Sequence, residues 1–263
     1  MIRTFRAELV KLRRRRVLVL AAVATVLFSI GTAAVVLASA EPAANRPGFG
    51  QGTTIEALSA AGGGTEVFTT GTSFAGTFVF VVFVGAIAVE FSRGTVRTML
   101  LRQPRRGALL AGKLASLFAF AAVVLAAAEA LTWIAATLLA PTQDIPTGEW
   151  RSLAAIGHAL ADYAMVLFWV GGYALLGLTV AVLTRSVPVA LAIGIAWAGP
   201  FEHLIQDGWN TATRVFPGLL LEAFVAGGTS DVSALRAFGT VAAYMLVAAA
   251  VAATTFVRRD VTA

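Results

Sequence analysis

The sequence contains no cysteine. That excludes a disulfide framework, a lipid-anchoring thiol, a Cys-ligated metal and a thiol nucleophile. Histidine occurs only at positions 158 and 203, and lysine only at 11 and 113. Charge of either sign is scarce: Asp, Glu, Lys and Arg together make 13%, against about a quarter in soluble domains. The metalloprotease pattern H-E-x-x-H and the nucleophile elbow G-x-S-x-G are both missing. An intramembrane enzyme therefore has little support. Apolar residues fill the space, at 58% of 263 residues, and the mean hydropathy is +0.83.

A bilayer core of about 30 Å needs roughly 20 apolar residues per helix. Charge-free runs over 17–40, 67–89, 163–184 and 237–257 meet that length. The run 114–140 meets it but carries Glu129, and 186–201 is shorter and opens near Pro188. These runs predict an all-α integral membrane protein with six transmembrane helices in one transmembrane domain spanning 1–263. The first run has a basic flank and an Ala38-Ser39-Ala40 end, which imitate a cleaved signal peptide. Its 24 residues exceed the roughly 7–15 of a signal core, so it is expected to remain as a helix.

Lys and Arg fall on alternate connections. The N-terminal segment, the loop 90–113, the turn at Arg185 and the C-terminus hold 16 of the 20, leaving Arg46, Arg151, Arg214 and Arg236 for the other side. By the positive-inside rule both termini are cytoplasmic. The excess of Arg over Lys suggests a GC-rich bacterial genome, hence a bacterial plasma membrane. The net charge of +6 then reflects topology and anionic lipid, and no basic patch calls for nucleic acid.

Two segments on the basic side stand out. In MIRTFRAELVKLRRRR (1–16), Ile2, Phe5, Leu9 and Leu12 share one helical stripe, which predicts an interfacial helix lying on the inner leaflet. In the loop 90–113, Gly94 and Thr95 end one helix and cap the next. Val96, Met99 and Leu100 then form an apolar face, with Arg97, Thr98 and Arg102 opposite and Leu101 at the edge. Pro104 stops this short helix. Such an element can carry force from a cytoplasmic partner, or can be an ordinary charged inner loop. Just downstream, GALLAGKL (107–114) misses the phosphate-loop pattern G-x-x-x-x-G-K-[ST] only at Leu114. Ala-Leu-Leu-Ala prefers helix, so the match is read as the cytoplasmic start of the third span.

These positions resemble the signature of type-2 ABC exporter permeases. Glu90 closes the second helix; Arg93, Gly94 and Thr95, then Leu100 and Leu101, Pro104, Arg106, and Lys113 with Leu114 follow in the family's order. Ala7-Glu8-Leu9-Val10-Lys11-Leu12-Arg13-Arg14 is similar to its opening, and Phe256-Val257-Arg258-Arg259-Asp260 to its close. The resemblance implies a permease subunit without its own ATPase, working as a pair with a second copy or a paralogue. ATP and Mg would be bound by a separate nucleotide-binding subunit docked on the inner loops, and this chain would hold no cofactor. The resemblance also implies an outer re-entrant segment within 202–236, and efflux as the direction. The docking surface would be a coupling helix, with Met99, Leu100 and Leu101 as apolar plug and Arg97 and Arg102 as charged rim.

Other residues admit two readings each. Glu129 is either a proton or cationic-substrate site, or a structural acid bonded near Thr132 or Trp133. Ala190, Gly194 and Ala198 repeat every four residues and predict close helix packing, more within the subunit than across a dimer. Glu202, His203 and Asp207 fall too few and too loosely for a metal site. The alternatives to the exporter are a proton-coupled secondary transporter using Glu129, or a non-transporting membrane sensor or assembly protein.

Overall fold

The computed structural model describes residues 1–42, 53–102, 105–197, 201–209 and 211–259. Its regular elements are helices: α1 (Ile2–Leu12), α2 (Arg15–Ala38), α3 (Ile55–Ser59), α4 (Gly63–Ser92), α5 (Thr95–Arg102), α6 (Arg106–Leu139), α7 (Leu153–Thr184), α8 (Val187–Ala196), α9 (Glu202–Gly208), α10 (Pro217–Val225) and α11 (Ala234–Arg258). Short 3-10 turns join some of them, and among the described residues no strand forms beyond two isolated bridges. Helix is what this composition dictates, because in lipid every backbone N–H and C=O must be satisfied within its own segment.

Among the described residues five helical segments are long and apolar enough to cross a membrane: Arg15–Ala38, Ala75–Ser92 within α4, Arg106–Gln143 (α6 and the 3-10 turn after it), Leu153–Thr184 and Ala234–Arg258. The expected span over 186–201 is represented by α8, ten residues long, or roughly 15 Å. Alone it is too short to cross. The rest of the expected span, 198–200, lies outside the described residues. The remaining long helices overrun their apolar stretches. α6 starts at Arg106 rather than 114, and α7 at Leu153 rather than 163, because hydropathy marks the lipid boundary and not the end of the hydrogen-bond ladder. Ser152 and Ser233 begin α7 and α11 by accepting the N–H of Ala155 and Arg236.

α7 is the most enclosed of the five. Val166, Trp169, Val170, Tyr173 and Leu178 on it pack with Phe80, Phe83, Val84 and Ile87 of α4, and with Leu220 and Leu221 of α10. The outside is apolar as well: Leu20, Phe78, Val123 and Leu246 are each at least 70% exposed. Large apolar side chains face outward on several helices, as a lipid-facing surface requires.

α8 packs against α4 through its small residues. Ala190 is fully buried, and a Cβ on Gly194 would fall 2.4 Å from Phe80 Cε1. The expected packing face is thus an intrasubunit one at these two positions, while Ala198 lies outside the described residues. α10 enters the bundle tip first. A Cβ on its Gly218 would lie 3.2 Å from the Tyr173 hydroxyl, and the same hydroxyl stands 2.9 Å from the Cβ position of Gly76. Gly76 is roughly 21 Å along α4 from Glu90, so this tip is well inside the bundle.

Candidate functional site

At the basic end, three chain segments far apart in sequence are tied by charge. Lys113 Nζ on α6 lies 2.6 Å from Glu90 Oε1 on α4 and 3.1 Å from Glu8 Oε2 on α1. Lys11 lies 2.6 Å from Glu8 Oε1 and 3.4 Å from Glu90 Oε1. Two lysines and two glutamates therefore close a neutral box. Glu8 is 6% and Lys113 8% exposed, so these are buried charges that need their partners. Burial pushes the Glu8 carboxyl up, but hydrogen bonding to Lys11 and the charge of Lys113 outweigh it and leave it below its ordinary value. Burial likewise lowers Lys11, and the Glu8 and Glu90 carboxylates more than restore it, leaving it above its ordinary value.

The box forms because α1 lies directly on α6. A Cβ at Gly112 would meet the Met1 carbonyl oxygen and Thr4 Cβ, each at 2.9 Å, so only glycine lets the two helices come this close. The buried face of α1 carries Thr4 and Glu8. Of the apolar stripe, Ile2 is 65% exposed and Phe5, Leu9 and Leu12 are half-buried. The polar residues decide the docking because Glu8 finds two ammonium groups there. GALLAGKL is accordingly continuous helix in α6, and its Gly112 and Lys113 seat α1.

The turn after Glu90 follows its sequence closely. Arg93 ends α4, and Gly94 takes a left-handed φ of 66°, a conformation glycine adopts without strain. Thr95 Oγ1 donates to the Glu90 carbonyl at 3.1 Å. α5 then runs from Thr95 to Arg102. Its Val96 is buried at 4%, and Met99 and Leu100 pack half-buried against the same core. The apolar face of α5 therefore packs on its own subunit, with Met99 and Leu100 left partly exposed. Leu101 is 83% exposed, and Arg97 and Thr98 are exposed beside it. The backbone of Arg102 belongs to α5, while Gln103 and Pro104 lie outside the described residues.

Arg106 has a structural role at this end. Its guanidinium donates to the carbonyls of Val257 at 3.0 Å and Arg259 at 2.9 Å, capping α11. Arg259 in turn donates to the Leu183 carbonyl at 3.1 Å near the end of α7. Cations at helix C-termini complement the helix dipole. α1 and the last turn of α11 thus both lie at the basic end, α1 against Lys113 and α11 against Arg106.

In the other half of the molecule Asp162, Glu66 and Glu129 are buried or half-buried acids that, among the described residues, form no ion pair. Thr65 Oγ1 donates to Asp162 Oδ2 at 2.6 Å. Asp162 is also the charged neighbour of both Glu66 on α4 and Glu129 on α6. Glu129 is thus not isolated. The sequence hides its company because Glu66 and Asp162 sit one residue outside the charge-free runs 67–89 and 163–184.

A further buried acid lies at the tip of α10. Glu202, 2% exposed, accepts the N–H of Leu219 at 2.9 Å. His203 pairs instead with Glu222 at 3.1 Å, so Glu202 and His203 serve different partners. The side chain of Asp207 lies outside the described residues. Among the described residues no three His, Asp or Glu stand close enough to hold one metal ion.

Comparison with known proteins gives one result. Neither the curated proteins nor the solved structures contain a match to this chain. Residues 4–201 match the family described as "ABC-2 family transporter protein". That stretch runs from the helix seated on Gly112 through α5 to the end of α8, and covers most of the chain. The chain belongs to the ABC-2 transporter family and is a transmembrane permease of the ABC transporter type.

Proposed function

We propose that this chain is the pathway-forming subunit of an ATP-driven exporter, acting as a pair of permease subunits coupled to a separate ATPase that binds ATP and Mg. The family match over 4–201 supports the class. The observation that carries the coupling is α5: a short helix fixed by its apolar face to its own bundle, with Arg97, Thr98 and Leu101 turned out. Leu101 is an apolar anchor in a charged surround, the composition of a small protein-docking spot. The ATPase would seat there, with Arg97 as part of the rim and Arg93 nearby. Glu90, through Lys113 and Glu8, would link a push on α5 to α1 and α6.

In this reading the basic end faces the cytoplasm, with both termini there. The chain crosses six times, α8 and the residues after it making the fifth crossing. α1 lies at the inner leaflet, and α9 with α10 forms the re-entrant segment from the outer side. The test is direct. Leu101→Asp combined with Arg97→Glu should abolish co-purification of the ATPase and ATP-dependent export while leaving the permease folded. Retention of both would refute the docking face. A proton-driven carrier would instead keep transporting without any ATPase and stop when the proton gradient is collapsed.

A further inference from the structure

The carboxyls of Glu66, Glu129 and Asp162 come from three different helices, α4, α6 and α7. Asp162 is the charged neighbour of Glu66 and of Glu129, and His158 is that of Asp162. His158 lies one turn before Asp162, exposed, with its ring beside Gly62. No lysine or arginine stands among those neighbours. Glu129 is the deepest of the three. It lies roughly 24 Å along α6 from Lys113, whereas Glu66 lies roughly 36 Å along α4 from Glu90. Carboxylates at such positions without a counter-charge are costly, and they are neutralised by a proton or by a bound cation.

Two further atoms favour the cation. Glu129 is 9% exposed, and its Oε1 has no hydrogen-bond partner among the described residues. Thr132, fully buried and one turn further on the same face of α6, has an unpartnered hydroxyl. A proton on Glu129 supplies one O–H donor, which can serve Thr132 but leaves the charge of Asp162 uncompensated. A primary ammonium brings three N–H donors and no acceptor, which suits an unpartnered carboxylate oxygen, a hydroxyl and a second carboxylate. The carboxyls do not converge on a bare metal ion, so the charge that fits is broader. An apolar wall is at hand: Trp133 and Trp150 both pack on Gly64, the neighbour of Thr65, with Trp133 Cδ1 2.6 Å and Trp150 Cδ2 3.1 Å from its Cβ position.

We propose that Glu66, Glu129 and Asp162, with Thr132, form a binding site for the ammonium head of an amphiphilic amine. Glu129 and Asp162 hold the charge, Thr132 accepts one N–H, and Glu66 and His158 stand at the outer approach. That this amine is the transported molecule rests on the permease reading; the binding itself does not.

The test uses the full chain in lipid nanodiscs, with equilibrium dialysis of radiolabelled octylammonium and, as its neutral counterpart, octanol. Octylammonium should show saturable binding above that of empty nanodiscs, weakened about tenfold or more in Glu129→Gln and separately in Asp162→Asn. Octanol should show only lipid partitioning, unchanged by either substitution. Thermal unfolding of each variant checks its fold, and Asp162→Asn carries the test if Glu129→Gln does not fold. Binding no greater than in empty nanodiscs, wild-type affinity in the folded variants, or equal saturable uptake of octanol would each overturn the site. Intact octylammonium binding in a chain that engages no ATPase would leave the site standing and refute only the permease coupling. Intact coupling without saturable amine binding would do the reverse.

Discussion

The two halves of this molecule treat buried charge in opposite ways. At the basic end each acid of the Glu8, Lys11, Glu90 and Lys113 box touches both lysines. In the other half, Glu66 and Glu129 each have Asp162 as charged neighbour, and among the described residues none of the three forms an ion pair and Glu129 Oε1 has no partner. A closed box fixes geometry, since moving any member leaves another exposed to an apolar surround. An open acidic cluster holds nothing together by itself and has capacity left for a ligand. The first arrangement suits a joint that transmits motion, the second a site that binds.

Substitutions should separate the two. Lys113→Met leaves Glu8 and Glu90 without their shared buried cation and should cost about 3–5 kcal/mol, read as a marked drop in thermal stability in detergent. Adding Glu8→Gln and Glu90→Gln to it should recover much of that loss, because the stranded charges are then gone. Gly112→Val should follow at about 1–3 kcal/mol of overpacking. It displaces α1 from α6, so proteolysis at Arg13 to Arg16 should accelerate. In contrast, Glu129→Gln should stay within about 1 kcal/mol of the native chain, toward greater stability, because it removes an unmatched acid. A large loss there would mean that the acidic cluster is structural after all, and the contrast between the halves would fall.

The smallest effect expected is that of pH on α1. The Glu8 carboxyl lies below its ordinary 4.5 when docked. Its contribution is fully present above that value and is lost as pH falls through the lowered one. Lys11 lies above its ordinary 10.5, so its contribution is present below 10.5 and is lost as pH rises through the raised value. Hydrogen exchange of the α1 amides should therefore be flat in protection between about pH 5 and 10 once corrected for intrinsic rate, and α1 should loosen toward pH 4 before the long helices do.

Much of the basic end was legible because its signals are local. Gly94 before Thr95, and the alternation of Val96, Met99 and Leu100 with Arg97 and Thr98, specify a capped amphipathic helix within ten residues. Which side of that helix meets the protein was not legible. The wheel gave an apolar face, and only packing showed that Met99 and Leu100 turn inward and Leu101 outward. The role of Glu8 was also hidden, because the apolar stripe of α1 drew attention away from its polar face, and its partner Lys113 lies 105 residues on. Glu66 and Asp162 were overlooked for a related reason. A hydropathy scan stops at the first charge, so acids that bound two spans never appear as members of one cluster. Glu202 escaped similarly, being classed with a polar outer segment when it caps a helix tip inside the bundle.

In the proposed docking, α5 presents Leu101, and not Met99, to an ATPase subunit. The absence of cysteine from the sequence makes this measurable with single Leu101→Cys and Met99→Cys variants, each carrying a thiol-linked photo-crosslinker in native membranes. An ATPase adduct is expected from position 101, in a protein bearing a complete G-x-x-x-x-G-K-[ST] loop, and little or none from position 99. An adduct from 99 in place of 101, or no ATPase adduct from either position, would contradict it.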